Sequence, residues 1–225
     1  MSRYIEVGSD QAPLAFRLRL PEDNLVPPIV MLHGLGGDEN AMWALESALP
    51  QNGLVVAPRA PHAQAQGGYL WNPSIRSWPP LVSEFAEGVG LLEGLLEYLE
   101  EKHEFRRDHM ILMGFSNGTA MSFAAAMAPI SSPPAGIVAI SGHLPDGDLS
   151  PLSGIPVYWG HGTRDAFISI DVAKSDAERL RQEAVPITFC EADVGHKLGA
   201  ECLKGLRSWF GTEFSAHEVR DKRTA

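Results

Sequence analysis

The strongest constraint on this chain is a set of short apolar runs, each closed by turn residues and followed by a helical pattern. Ile29–Leu32 ends at His33-Gly34, Leu54–Ala57 at Pro58, and Met110–Met113 at Gly114. Ile137–Ile140 ends at Ser141-Gly142, Pro156–Trp159 ends at Gly160, and Ile187–Cys190 precedes Gly195-His196. Runs that are apolar at every position, rather than at alternate ones, belong to strands covered on both faces. Between them, residues 82–103 place Val82, Phe85, Val89, Leu92, Leu96 and Leu99 at helical spacing, with glutamates largely elsewhere on the wheel. Asn117–Ala128 reads as an alanine-rich helix stopped by Pro129. Asp171 is expected to cap a helix running to about Ala184, and Leu198, Cys202, Leu206, Trp209 and Phe210 form a last apolar face.

Alternating strands and helices predict an α/β fold, a mostly parallel central sheet with helices on both faces. Tyr4–Val7 and Phe16–Leu20 are expected to add an antiparallel pair at one edge. A chain of 225 residues fits one such domain. We expect it over residues 1–211, with a polar tail over 212–225 that frays.

Composition narrows the function. With 44% hydrophobic and 20% charged residues the chain reads as globular and soluble. A formal charge of −10 excludes a nucleic-acid partner and disfavours anionic membranes. The N-terminus lacks the apolar run of a signal peptide, and no stretch has the length of a membrane span. Cys190 and Cys202 read as reduced core thiols of a cytoplasmic protein.

Residues 112–120, LMGFSNGTA, then acquire a context. Gly-x-Ser-x-Gly alone is weak, because glycine and serine are common here. It becomes informative where a strand turns sharply into a helix, and Ser116 lies between the Met110–Met113 strand and the Asn117 helix. A serine there is a candidate nucleophile, but it needs a base. Chain order places an acid and then a histidine on later strand ends. Asp165 follows the Pro156 strand and His196 follows the Ile187 strand, so Asp165 would orient His196 and His196 would accept the proton of Ser116. Asp193, three residues before His196, is the rival acid. His33 and His161 each precede a glycine just past a strand and read as residues that hold loops.

The oxyanion formed on attack needs backbone donors. Asn117, next after the candidate nucleophile, is one, and Leu35 in His33-Gly34-Leu35-Gly36-Gly37 is the other. That loop is not a dinucleotide loop, since Glu39 stands where a third glycine is required. No residues have metal-ligand spacing. Trp71 and Trp78, in an aromatic stretch over residues 67–80, could line a substrate pocket or anchor a loop, and both readings stand. The connection SGHLPDGDLSPLSGI contains no amphipathic helix that could act as a large lid.

HGLGGDEN, GFSNG, ISGHLP, HGTRDAFI and GHKLG occur in the order seen in the phospholipase/carboxylesterase family of α/β-hydrolases, and the chain resembles that family from Ile29 to Phe210. The resemblance implies an ester or thioester hydrolase with no cofactor, a small-molecule acyl substrate, Ser116, Asp165 and His196 as triad, and Leu35 and Asn117 as oxyanion donors. It departs from the family pattern at Asn117-Gly118-Thr119 and over the 67–80 stretch. The expected function is a serine carboxylesterase acting on short- to medium-chain esters. A thioesterase or lysophospholipase with the same triad is the close alternative. A dienelactone-type hydrolase is disfavoured by serine at position 116, and a non-catalytic binding protein by the presence of every triad candidate.

Overall fold

The computed structural model describes residues 3–21, 26–73, 77–103, 105–128 and 132–214. An eight-stranded sheet runs through it in the order β1-β2-β4-β3-β7-β8-β9-β10. The strands are β1 (Arg3–Val7), β2 (Phe16–Leu20), β3 (Ile29–Leu32), β4 (Val55–Pro58), β7 (Ile111–Phe115), β8 (Gly136–Ile140), β9 (Val157–Gly162) and β10 (Ile187–Ala192). From β4 to β10 every pairing is parallel, and β1 and β2 form the expected antiparallel edge. A separate two-stranded hairpin, β5 (His62–Ala63) with β6 (Tyr69–Leu70), lies outside this sheet. At two residues per strand it is too short for a period to announce it.

The helices are α1 (Ala86–His103), α2 (Asn117–Met127), α3 (Ile170–Gln182) and α4 (Ala200–Glu213). Continuous apolar strands work because both faces of the sheet are covered. Val30, Leu32 and Leu112 pack with Leu92, Leu95, Leu96 and Leu99 of α1 and with α2. Ile29, Met31, Ile111 and Met113 point the other way, toward Leu206, Trp209 and Phe210 of α4. Each fully buried leucine contributes about 1.5–3 kcal/mol relative to an exposed one, so the α1 stripe alone fixes that helix on the sheet.

Several boundaries differ from expectation. The first turn of the 82–103 helix is a 3₁₀ segment, Val82–Phe85, whose Leu81 N–H is received by the Glu84 carboxylate. Ser169, not Asp171, caps α3: its hydroxyl accepts the Val172 N–H, while Asp171 sits in the first turn beside the positive end of the helix dipole. β9 continues through Gly160-His161-Gly162 because β10 pairs with it along its whole length. Ala128 is extended, as a following proline imposes, and Pro129 itself lies outside the described residues. α4 runs to Glu213, past the boundary expected at 211, and the tail from 215 lies outside the described residues.

One expectation is overturned. Cys190 on β10 and Cys202 on α4 are not free thiols but a disulfide. The spacing gives no hint of it. The two meet because α4 folds back over the sheet and brings its inner face to the neighbour of β9.

Candidate active site

β3 and β7 are adjacent in the sheet, and β4 lies on the far side of β3. Open α/β sheets bind ligands at the carboxyl ends of strands where the order reverses, and this is such a point. Ser116 follows β7 and the glycine loop follows β3, so both edge the same crevice.

The turn at Ser116 is sharp. Its φ is 53° and ψ −116°, a conformation that costs a non-glycine residue of order 1–3 kcal/mol. Crowding on either side accounts for the flanking glycines. A Cβ on Gly114 would lie 2.2 Å from the Gly118 carbonyl oxygen, and one on Gly118 would lie 2.0 Å from that of Leu32. The Ser116 N–H is held by Ile140 O at 2.9 Å. Thr119 donates its hydroxyl to Gly114 O at 2.9 Å and accepts the Ile140 N–H at 3.2 Å. It pins the elbow to β8.

His196 and Asp165 meet, with Nδ1 2.7 Å from Oδ2. The Asp165 side chain is fully buried, and its Oδ1 accepts the N–H groups of Phe167 (2.9 Å) and Ile168 (3.1 Å). Burial alone would raise its pKa, but the bonds from Ile168, His196 and Phe167 outweigh it and hold the carboxyl below its usual range. An ionised carboxylate only accepts, so Nδ1 of His196 carries a proton, and in the neutral ring Nε2 is the acceptor. Asp193 does not join them. Its side chain is 81% exposed and pairs with Arg164 at 2.7 Å. The imidazole of His196 packs against two rings, Phe115 at 4.9 Å and the exposed Phe167 at 5.0 Å between centroids. Neither phenylalanine stands out in the sequence, because contact with a residue far along the chain leaves no periodic trace.

His33 holds the glycine loop. Its Nε2 accepts the Ala60 N–H at 3.0 Å, so Nδ1–H donates to Gly34 O at 2.8 Å. Burial lowers its pKa and keeps it neutral in this role. Tyr69 of β6 pairs with the same loop through Gly36 N and Gly37 O. Arg59 and Glu39 form a two-pronged ion pair beside it, at 2.6 and 2.5 Å. Among the described residues, no backbone carbonyl accepts the N–H of Leu35 or of Asn117. The Leu35 side chain is exposed.

Trp71 does not line an open pocket. It is fully buried, and its indole N–H donates to His33 O at 2.9 Å. Its backbone N–H donates to Asn117 Oδ1 at 3.2 Å, and Asn117 Nδ2 donates to buried Asn72 at 2.9 Å. The Asn117 side chain, which departs from the family pattern, thus ties the elbow to the 71–72 segment. Trp78 is exposed. It stands against His143 with centroids 4.4 Å apart and borders an open cavity of about 380 Å³ with Asp171, Asp176 and Arg179. Among the described residues no cluster could hold a metal ion, and no helix is long and apolar enough to cross a membrane.

Known proteins share this fold. The structure superposes on a Bacillus cereus carboxylesterase with a TM-score of 0.78 at 18% identity, covering 92% of this chain and 97% of that one. It superposes on a carboxylesterase from Mesorhizobium loti with a TM-score of 0.76 at 18% identity, covering 92% and 98%. The shared architecture is the α/β-hydrolase fold. In sequence, acyl-protein thioesterase 1 of Debaryomyces hansenii is 27% identical over 177 residues, 67% of this chain and 74% of that protein. The phospholipase/carboxylesterase family model matches residues 16–209, and the chain belongs to that family of ester hydrolases.

Proposed function

We propose that the chain hydrolyses carboxylic esters through an acyl-enzyme on Ser116, with His196 as base and Asp165 as its orienting acid. The observation that carries this reading is the Asp165–His196 bond, which fixes the imidazole tautomer, together with the ring of Phe115, the residue before Ser116, against that imidazole. Nε2 of His196 takes the Ser116 proton as Oγ attacks the carbonyl carbon. The oxyanion is met by the N–H groups of Leu35 and Asn117, the latter at the N-terminus of α2, where the helix dipole adds to the bonds. Nε2 then returns the proton to the departing alkoxide. The same nitrogen activates water, and the acid is released as Ser116 regains its proton.

The substrates are small acyl esters of short or medium chain, with Phe167, exposed against the His196 ring, at the rim of the site. The same groups would cleave a thioester or a lysophospholipid, and the likeness to an acyl-protein thioesterase supports keeping thioesters in the test. The cytoplasmic location expected from the sequence loses one of its supports, because the cysteines are joined.

The test is covalent labelling. A fluorophosphonate should phosphonylate the protein once per chain, at Ser116, with loss of fluoride. A screen of p-nitrophenyl esters and acyl-CoA thioesters over increasing acyl length, with Ser116→Ala as blank, should show ester turnover falling with long chains. Labelling that persists in Ser116→Ala would place the reactive residue elsewhere.

A further inference from the structure

Three buried polar atoms on one patch of the sheet have no hydrogen-bond partner among the described residues: Ser141 Oγ, Trp159 Nε1 and His161 Nδ1. All three residues are at most 1% exposed. The sheet register makes them neighbours. β8 and β9 pair Ala139 with Trp159 and Ile140 with Gly160, and the Ser141 N–H donates to Gly160 O at 2.9 Å. That bond sets Ser141 opposite His161. Trp159 and His161 are two residues apart on β9, so they share a face, the one that Phe123 of α2 covers.

Their bonding capacities are complementary. His161 Nε2 lies 2.9 Å from Ile168 O and 3.5 Å from Asp165 Oδ2, both acceptors. Nε2 therefore carries the proton and Nδ1 presents a lone pair. Burial lowers the pKa of His161, which keeps the ring neutral. The Trp159 indole can only donate, and a serine hydroxyl can do either. A donor, an acceptor and a group that is both are the set of partners that one water molecule would satisfy. Buried waters typically make about three bonds to groups that are otherwise unsatisfied. Ser141 is moreover held at φ 45°, in the left-handed region that a non-glycine residue adopts at a cost.

We propose that Ser141, Trp159 and His161 hold one buried water, and that His161, oriented by it, is a positioning residue for Asp165. This rests on the reading of Asp165 and His196 given above. A water donating to Nδ1 keeps the proton on Nε2, which donates to Ile168 O at 2.9 Å and lies 3.5 Å from the carboxylate oxygen that receives the His196 bond, while the Ile168 N–H bonds the other oxygen of Asp165. In the other tautomer an imidazole lone pair would face Ile168 O and Asp165, and both would repel it. Ile168 O and Asp165 thus select the tautomer, and the water satisfies the Nδ1 lone pair it leaves, holding the ring that backs Asp165 and, through it, the orientation of His196.

Two measurements test this. A high-resolution crystal structure of the whole chain should show one ordered water within hydrogen-bond reach of Ser141 Oγ and His161 Nδ1. In kinetics, Ser141→Gly, which suits the observed φ and so avoids a folding defect, should lower kcat by about 3- to 30-fold with KM nearly unchanged. His161→Gln keeps a donor in place of Nε2–H but nothing in place of Nδ1, and it should lose a similar factor. The double variant should lose little more than His161→Gln alone, because both changes act through one ring. A dry site, wild-type kcat in a folded Ser141→Gly, or losses that simply multiply would overturn the proposal. Failure of wild-type protein to label at Ser116 would instead count against the nucleophile assignment, and the crystal structure would still decide the water.

Discussion

Phe115 packs its ring against the imidazole of His196, with centroids 4.9 Å apart. The last residue of β7 therefore positions two groups at once: Ser116 through the chain and His196 through contact. Gly34 tightens the arrangement, since a Cβ there would fall 2.9 Å from the Phe115 ring and 3.2 Å from Ser116 Cβ. Phe115→Ala should lower kcat at least tenfold with a smaller effect on KM, because misplacement of a reacting group costs rate more than binding. Steady-state kinetics on a soluble ester decides this. A change confined to KM would mean that the ring contacts substrate rather than positioning the base.

Exchanging each acid for its amide distinguishes them. Asp165→Asn should reduce kcat by a factor on the order of 10³–10⁴, since the neutral side chain no longer fixes the His196 tautomer. Asp193→Asn weakens an exposed pair with Arg164 and a long bond from the Thr163 hydroxyl, and such exposed pairs are worth about 1 kcal/mol or less. Kinetics with circular dichroism on both variants is the measurement. A larger loss in Asp193→Asn, with both folded, would reverse the assignment.

Phe167 is 80% exposed yet lies 5.0 Å from the His196 ring. A side chain so exposed contributes little to the core, so Phe167→Ala should change stability by less than about 0.5 kcal/mol. It should raise KM several-fold for apolar esters. Equal KM values across a series of acyl lengths in wild type and variant would remove Phe167 from the substrate path.

Acid should loosen the glycine loop. The Arg59 side chain bonds Glu39 and holds its pKa below the usual value of 4.5, outweighing the opposing effect of burial. A carboxylate whose folded pKa is depressed adds stability that is complete above the unfolded pKa and is lost as pH falls through the folded one. Stability should therefore decline as pH drops from about 4.5, and Glu39→Gln should be less stable at neutral pH but lose less on acidification. Melting temperatures at stepped pH provide the check, with parallel curves for the two proteins as the contrary result.

Substrate should reach the site without a lid opening. Between β8 and β9 the chain forms only a 3₁₀ turn, Ser150–Leu152, and no α-helix. Rate against concentration for a p-nitrophenyl ester should rise smoothly through its critical micelle concentration. A sharp jump above that threshold, with little turnover below it, would identify a covering element elsewhere.

The parts of this fold that were legible in sequence are those where the physics is local. Ile29–Leu32 and Ile137–Ile140 are apolar throughout because both faces are covered. Gly114 and Gly118 announce the elbow because no side chain fits between strand and helix. What stayed hidden depends on contacts across the sheet. Asp165 and Asp193 are both near His196 in chain or strand order, and only the inward turn after β9 shows which carboxylate meets the ring. Trp71 carries the same signal whether it lines a cavity or fills the core, and its buried indole N–H on His33 decides for the core. The Asn117–Asn72 bond joins residues 45 positions apart, a separation that no spacing rule reads.

The bond between Cys190 and Cys202 turns the segment between them into a closed ring of chain that contains His196. A protease that cut the peptide beside His196 would produce two chains that do not come apart. Gel electrophoresis would show the full mass until a thiol was added, and then two pieces. The imidazole would meanwhile stay tethered at both ends, one to the sheet edge and one to the last helix. The segment bearing the candidate base is thus fastened in two directions, and a single break in its backbone need not carry it away from Ser116.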